Sequence, residues 1–191
     1  DICTTTWVAF VDDDATITPG FVDALEREID GAPTDRMVIA GNIIDPEGAS
    51  DVRFTSGPTG RFSGGVCAIR RSDFLRLGGY PEYGLRQGEE GDLSIRLHAA
   101  GLHIHRAGDV VILHPRDASP EKRRELVRTG VRQSILTGVI SCPWWLVPGW
   151  MVWKVVAHAT TAVRARAVGP LLTGIRDGVG DVPRALRARK P

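Results

Sequence analysis

Three adjacent carboxylates, Asp12-Asp13-Asp14, follow directly after the short apolar run from Trp7 to Val11. The apolar run is typical of a buried strand, and acidic residues at the carboxyl end of a strand open into the crevice where α/β folds bind ligands. Because neighbouring carboxylates repel one another, they favour a bound cation. A hard divalent ion that also binds diphosphate oxygens, Mg²⁺ or Mn²⁺, suits them best. The alternative is a solvated acidic turn ahead of a helix.

A second acidic group, Glu89, Glu90 and Asp92, lies at the start of a helix predicted from about Glu89 to Ala100. The helix dipole stabilises carboxylates at this position even where they have no other role. A carboxylate that faces a substrate crevice can instead deprotonate a hydroxyl group. The residue types leave both interpretations open.

His114 follows the predicted strand Val110 to Leu113 and is a third candidate, as a metal ligand, although a single histidine is more often structural. His103 and His105 lie two residues apart in the predicted strand Leu102 to Arg106. They therefore face the same side of that strand, but the sequence identifies no partner for them.

The elements that must position these residues alternate between strands and helices, which predicts an α/β sheet packed between helices. Residues 45–62 and 80–88, rich in glycine and polar residues, are predicted loops. Further strands are predicted at Met37 to Ala40 and Gly64 to Ile69, and helices at Thr18-Pro19 to Ile29, Ser72 to Leu77 and from Ser119-Pro120 onwards.

Residues 133–153 form 21 consecutive uncharged positions, the length of a transmembrane candidate. Pro143 and Pro148 interrupt this stretch, and its second half holds four tryptophans, which prefer the headgroup level of a bilayer. We expect the segment to lie at the membrane interface. A true span and an aromatic-rich core hairpin are the alternatives. The residue pattern that follows, from Val155 to Arg189, predicts one or two basic amphipathic helices, broken at Gly169-Pro170.

Charge is distributed unevenly: the last 38 residues have a net charge of +6 and the rest of the chain −5. A basic segment beside a Trp-rich apolar stretch favours an anionic membrane surface over nucleic acid. The three cysteines lack disulfide or metal-ligand spacing, and the N-terminus lacks a secretion signal. These observations predict a peripheral or interfacial protein at the cytoplasmic face of the cell membrane.

The ordered motifs resemble family 2 glycosyltransferases, inverting enzymes of the GT-A (nucleotide-diphospho-sugar transferase) fold, over about residues 7–116. The tail is similar to that of bacterial rhamnosyltransferase-type members, which suggests polysaccharide or cell-wall biosynthesis. The motifs are Phe10-Val11-Asp12-Asp13-Asp14, Ser63-Gly64-Gly65, Leu77-Gly78-Gly79-Tyr80, Gly88-Glu89-Glu90-Gly91-Asp92-Leu93, His114 and, in the tail, Gly174-Ile175-Arg176-Asp177-Gly178.

The resemblance implies a single displacement in which a sugar moves from a nucleotide-sugar donor to a glycan or lipid-linked acceptor. It assigns the metal, Mg²⁺ or Mn²⁺, to Asp12, Asp14 and His114. It places Glu90 at the position of the catalytic base, with Glu89 before it and Asp92 as a substitute. The substrate would contact Asp12, Asp13, Gly64 and Gly65.

The same resemblance predicts two segments: the catalytic half of a partial GT-A domain at residues 1–118, and a helical, Trp-rich, basic membrane-associated segment at residues 119–191. The family has nucleotide-binding strands and a helix before its Asp-x-Asp pair, so we expect the chain to be a fragment with little or no activity of its own.

Two other functions fit parts of the sequence. A non-catalytic glycosyltransferase remnant would act as a membrane-docked scaffold. A haloacid-dehalogenase-type phosphatase would use Asp12 as nucleophile and Asp14 as acid/base. That family requires a lysine before a late acidic motif, and the lysines here are Lys122, Lys154 and Lys190.

Overall fold

The structure is a computed structural model that describes residues 3–47, 55–80, 88–115, 117 and 119–189. By its internal contacts the chain divides into two compact units. The first unit comprises residues 1–80 and 93–116, and the second comprises residues 81–92 and 117–191. Residues 81–87 of the predicted loop at 80–88 and part of the predicted loop at 45–62 lie outside the described residues.

The first unit is built on a mixed sheet with the strand order β1-β5-β3-β6-β2, and β4 pairs with β6. β3 and β6 are parallel, and the other pairs are antiparallel. The strands are β1 (Trp7–Val11), β2 (Thr16–Ile17), β3 (Arg36–Ile44), β4 (Gly57–Thr59), β5 (Val66–Arg70) and β6 (His103–Leu113), and the helices are α1 (Phe21–Asp30), α2 (Arg71–Arg76) and α3 (Glu89–Ala99). The first turn of α3, residues 89–92, belongs to the second unit.

Strand directions bring four chain segments to one edge of the sheet. β1 is antiparallel to β5, so Val11 at the end of β1 pairs with Val66 at the start of β5. β3 and β6 end at the same edge, because Ile44 pairs with Leu113. The acidic turn after β1 and the histidine after β6 therefore both follow strands that end at this edge.

The sheet is strongly curled. In a flat sheet, four strand spacings of about 4.8 Å would place β1 and β2 about 19 Å apart. The chain from Val11 to Thr16 spans at most about 17 Å when fully extended, and it contains a turn in which the Ala15 N–H donates to the Asp12 carbonyl. Curling is what allows this short connection to join the two ends of the strand order.

Helices cover both faces of the sheet, as the alternation of elements predicted. Val38 and Ile69 point to one face and pack with Leu93 and Leu97 of α3. The neighbouring residues Ile39 in β3 and Ala68 in β5 point to the other face and pack with α1, as the two-residue period of strands requires. β1 is half-exposed rather than buried, since it lies at one end of the strand order.

Several predicted boundaries are wrong for identifiable reasons. β6 is one strand rather than two, because a bulge opposite Gly41 and Asn42 keeps both halves paired with β3. The Asn42 side-chain amide donates to the Ala107 and Gly108 carbonyls at 2.7 and 3.0 Å and satisfies the bulge. β4 lies inside the predicted loop at 45–62; a strand there tolerates Pro58 because it lies at an edge.

Two predicted helix starts are also wrong. Thr18 does not cap α1, because its hydroxyl donates to the Val111 carbonyl at 2.8 Å. The helix starts at Phe21 after Gly20, whose φ of 79° lies in the left-handed region that glycine adopts without strain. α2 starts at Arg71, one residue before the predicted cap Ser72.

The second unit contains three helices, α4 (Pro120–Ser141), α5 (Val147–Arg164) and α6 (Val168–Ala188). Ser119 caps α4 as predicted, and its Oγ accepts a hydrogen bond from the Lys122 N–H at 3.2 Å. The uncharged stretch 133–153 is divided between α4, a turn and α5, and the tail breaks at 165–167 rather than at Gly169-Pro170. No helix in the described part of the chain is long and apolar enough to cross a membrane.

Two titratable side chains lie among these helices, His158 half-buried and Cys142 buried. The His158 Nε2 lies 2.9 Å from the Ser134 Oγ, and burial lowers the pKa of His158, with a smaller effect from Lys154. Burial also raises the pKa of the Cys142 thiol, so the thiol stays protonated and unreactive in the folded unit.

Candidate functional site

Asp12, Asp14 and His114 converge at the edge of the sheet where β1 and β6 end. One ligand atom from each of the three side chains lies within 4.8 Å of those from the other two. The His114 Nε2 is 3.0 Å from an Asp14 carboxylate oxygen and 3.5 Å from one of Asp12. The Asp14 side chain is 71% exposed, so the group opens to solvent and can accept a ligand. Asp13 is exposed and does not belong to this group.

A tight turn places the two carboxylates side by side. The Asp12 N–H donates to the Gly65 carbonyl at 3.1 Å, which extends the pairing of β1 with β5 by one residue. The Ala15 N–H then donates to the Asp12 carbonyl at 3.2 Å and closes the turn. Within this turn Asp12 and Asp14 both direct an oxygen toward His114, which explains why alternate acids of the three form the pair.

Backbone and side-chain hydrogen bonds fix His114. Its N–H donates to the Ile44 carbonyl at 2.9 Å, so the residue continues the pairing of β6 with β3. Its Nδ1 lies 2.9 Å from the Pro115 carbonyl oxygen. Because a carbonyl oxygen only accepts hydrogen bonds, Nδ1 carries a proton, and in the neutral ring Nε2 presents its lone pair to the carboxylates.

Gly65 provides the space that the Asp12 carboxylate occupies. A Cβ on Gly65 would lie 2.4 Å from the Asp12 Oδ2 and 3.1 Å from its Cγ, closer than packing allows. A Cβ at this position would therefore displace the Asp12 carboxylate. Gly64 precedes Gly65 in the turn that leads into β5.

The donor set fits a divalent cation. The two carboxylates repel one another, and a cation held by them and by the Nε2 of a neutral imidazole converts this repulsion into coordination. Imidazole suits Mn²⁺ better than Mg²⁺, which prefers an all-oxygen shell. The Nδ1–H···O=C bond to Pro115 is the kind of interaction that orients a metal-ligating histidine. Residue types do not signal this carbonyl acceptor, because every residue has a backbone carbonyl.

The predicted acidic group lies in the first turn of α3, at its amino end. Asp92 is only 2% exposed and accepts a hydrogen bond from the Ser141 hydroxyl, so it packs against α4 within the second unit. A Glu89 carboxylate oxygen accepts from the Gly88 N–H at 2.7 Å and satisfies a free donor of the helix start. Glu90 is half-buried.

The other histidines have structural partners. The Nε2 atoms of His103 and His105 lie 3.6 and 3.7 Å from carboxylate oxygens of Asp35 and Glu28, and both ring nitrogens of His98 face backbone carbonyls. These acidic partners lie far away in sequence, which is why the strand pattern identified the shared face but no function.

A cavity of about 690 Å³ lies in the second unit between α4 and α6. Its arginines are paired with its aspartates, so the charges compensate one another and the cavity shows no preference for a charged ligand. Its lining residues are Glu125, Arg128, Thr129, Arg132, Arg176, Asp177, Gly180 and Asp181.

Comparison with known proteins finds a similar fold among solved structures. No family model and no curated protein matches the sequence. The structure is similar to that of a mannosyltransferase from Pyrobaculum calidifontis in complex with GDP-Man and Mn²⁺, with a TM-score of 0.55 and 17% sequence identity. The similarity covers 98% of this chain and 60% of that one, so the chain spans about 60% of that protein's length. The fold is therefore glycosyltransferase-like.

Proposed function

We propose that the protein is a glycosyltransferase that moves a sugar from a nucleotide-sugar donor to a hydroxyl group of a glycan or lipid-linked acceptor. The observation that supports this most is the convergence of Asp12, Asp14 and His114 at the edge of the sheet. In a glycosyltransferase-like fold, a cation-binding group at this place suits the diphosphate of a sugar donor.

Asp12, Asp14 and His114 would hold the cation, with Mn²⁺ preferred over Mg²⁺ because of the imidazole. When bound, the ion neutralises the charge of the leaving diphosphate. The protein contributes the fixed geometry: the turn orients the carboxylates, Gly65 leaves room for Asp12, and the Pro115 carbonyl sets the tautomer of His114.

The acceptor is activated by a carboxylate. Glu90 takes the proton of the acceptor hydroxyl, whose oxygen attacks the anomeric carbon while the bond from that carbon to the diphosphate oxygen breaks. A single displacement of this kind inverts the configuration, as the resemblance to family 2 enzymes implies. Asp92 is buried and bonded to Ser141, so its role is to position the helix start rather than to meet the acceptor.

Isothermal titration of the chain with Mn²⁺, alone and with a nucleoside diphosphate, tests the proposal. We expect Mn²⁺ to bind and to strengthen binding of the nucleotide, and Asp14→Asn to weaken Mn²⁺ binding by about 100-fold because one anionic ligand is lost. Asp23→Asn, which removes an exposed carboxylate from α1, is the matched control and leaves binding unchanged.

Transfer is tested separately, because the chain is shorter than the similar mannosyltransferase. Glu90→Gln is expected to abolish any transfer that the unmodified chain shows, while Mn²⁺ affinity is preserved. If Mn²⁺ binds and no nucleoside diphosphate does, the non-catalytic scaffold is the better interpretation. Mn²⁺ affinity that is equal in Asp14→Asn and the unmodified chain would contradict the proposed metal centre.

A further inference from the structure

Exposed apolar side chains are concentrated on the turn before α5 and on one side of that helix. Trp145 is 79% exposed and Val152 is 67% exposed, values expected for polar surface residues. Val152 and Val156 are separated by one helical turn and share a face, and Trp153 lies beside them. We call the set the Trp–Val surface: Trp144, Trp145, Leu146, Val152, Trp153 and Val156.

The Trp–Val surface is separate from the core of the second unit. An adjoining side of α5 packs into that core through Met151 and Ala162. The turn continues into the helix, since the Trp150 N–H donates to the Leu146 carbonyl at 2.9 Å. Single exposed apolar residues are ordinary, but six within thirteen positions indicate a surface that binds a partner.

Basic side chains border this surface. Of the six basic residues between positions 126 and 176, Arg128, Arg132 and Arg176 are paired with aspartates of α6, whereas Lys154 and Arg164 lie on α5 itself. The Lys154 Nζ lies 4.3 Å from the centre of the Trp153 ring, and the Arg189 guanidinium lies 4.1 Å from that of Trp144. Cations therefore border the exposed rings themselves, and Arg164 at the end of α5 is exposed. Such a rim favours an anionic partner.

We propose that the Trp–Val surface docks on an anionic phospholipid bilayer, with α5 lying in the plane of the interface. Tryptophan is enriched at the headgroup level, where its ring lies in the apolar boundary and its N–H remains near water. A valine stripe provides no hydrogen bonds for recognising a folded protein, whereas it suits the acyl boundary. The basic residues beside the rings then meet lipid phosphates, at roughly 1 kcal/mol for each cation.

Co-sedimentation with vesicles tests this proposal independently of the metal centre. We expect the chain to bind vesicles that contain phosphatidylglycerol, and to bind pure phosphatidylcholine vesicles about tenfold or more weakly, because the cations lose their partner. Raising the salt concentration should weaken binding to the anionic vesicles. Equal binding to both kinds of vesicle, or binding to neither, would overturn the proposal.

Paired substitutions locate the surface. Trp145→Ser with Trp153→Ser should lower the affinity for anionic vesicles about tenfold or more, since both rings leave the lipid boundary. The matched control is Val22→Ser with Leu75→Ser, which changes two residues of α1 and α2 that are 54% and 51% exposed. All four side chains are exposed, so both variants should keep the circular dichroism of the unmodified chain.

Two outcomes of the variant series would also reject a lipid partner. One is an unchanged vesicle affinity of the tryptophan variant. The other is a dimer, measured by light scattering, that dissociates in the tryptophan variant while vesicle binding is absent; this result would assign the surface to a second copy of the chain. Lys154→Gln with Arg164→Gln should weaken binding to anionic vesicles and leave binding to neutral ones unchanged.

Discussion

The position of one proton determines how the residues of the candidate metal centre can act. The Nδ1 of His114 donates to the Pro115 carbonyl, so in the neutral ring the Nε2 lone pair points at the oxygens of Asp12 and Asp14. Three electron-rich atoms held together in this way form a ready site for a cation. Backbone hydrogen bonds hold Asp12 and His114 in place, and the turn that the Ala15 N–H closes on the Asp12 carbonyl carries Asp14.

Gly65 offers a direct test of this arrangement. In Gly65→Ala the new methyl group would overlap the Asp12 carboxylate, which is the flexible end of a side chain and moves more easily than the backbone. We expect the fold to persist and the Mn²⁺ affinity, measured by titration, to fall about 10- to 100-fold, as when a supporting residue of a metal ligand is changed.

Gly60→Ala is the matched control, because a Cβ at Gly60 would meet no atom within 4 Å. This variant should bind Mn²⁺ like the unmodified chain. If Gly65→Ala also retains full affinity, the position of Asp12 in the structure is not the position that binds the ion.

Much of the candidate site could be predicted from residue types alone. The paired acids after an apolar strand indicated a cation, and the histidine after a second strand was a candidate ligand, because strand ends are visible in the sequence. The bond between Ser141 and Asp92 could not be predicted, since it joins residues 49 positions apart. The carbonyl partner of His114 could not be predicted either, because backbone acceptors have no sequence signature.

Helix contacts in the second unit depend on glycines, as the position of Asp12 depends on Gly65. α6 crosses α4 at Gly174 and Gly178, where a Cβ would come within 2.3 Å of the Arg128 carbonyl oxygen and 3.0 Å of the Ile135 side chain respectively. Beside the glycines, Asp177 and Asp181 accept hydrogen bonds from Arg128 and Arg132 of α4. The spacing of four residues on both helices puts each glycine beside an ion pair.

Gly174→Ala should therefore destabilise the second unit. Its methyl group would press on backbone, which yields less easily than a side-chain end, so the helices must separate. After the gain in helix propensity is subtracted, the free energy of unfolding measured in urea should fall by about 1 to 2 kcal/mol. Gly180→Ala in the same helix meets no atom within 4 Å and should raise stability by about 1 kcal/mol. An equal change in the free energy of unfolding of Gly174→Ala and Gly180→Ala would contradict the close crossing of α4 and α6.

Element boundaries were predictable where the deciding interaction is local. Ser119 caps α4 through a bond three residues away, and the sequence predicted it. Thr18 resembles a cap as closely, yet its hydroxyl is bonded to Val111, 93 positions away. The sequence around Gly41-Asn42 indicated the end of a strand, whereas the Asn42 amide satisfies a bulge and the strand continues. For Thr18 and Asn42, contacts with residues distant in the sequence therefore determine where the helix begins and where the strand ends.

For the whole molecule, alternation of strands and helices predicted the α/β class, and the ordered motifs predicted a glycosyltransferase-like fold. The strand order was not predictable, because the composition of an apolar segment does not show which strands it pairs with. For example, β1 has the composition of a buried strand but lies at an end of the sheet. The division of the chain into two units was not predictable either, because it depends on contacts between segments that are distant in the sequence.

The two buried cysteines provide a separate reporter for each unit, Cys67 in the first and Cys142 in the second. A thiol reagent modifies a buried cysteine only after its surroundings open, and a cation that binds the folded first unit makes that opening rarer. In a Cys3→Ser background, which removes the exposed thiol, Mn²⁺ at about 100 times its Kd should slow the labelling of Cys67 by about 100-fold. Labelling of Cys142 should slow much less, because its unit does not contain the ligands. Asp14→Asn should abolish the Mn²⁺ effect on Cys67, and a labelling rate of Cys67 that saturating Mn²⁺ leaves unchanged would mean that the ion does not bind to Asp12, Asp14 and His114.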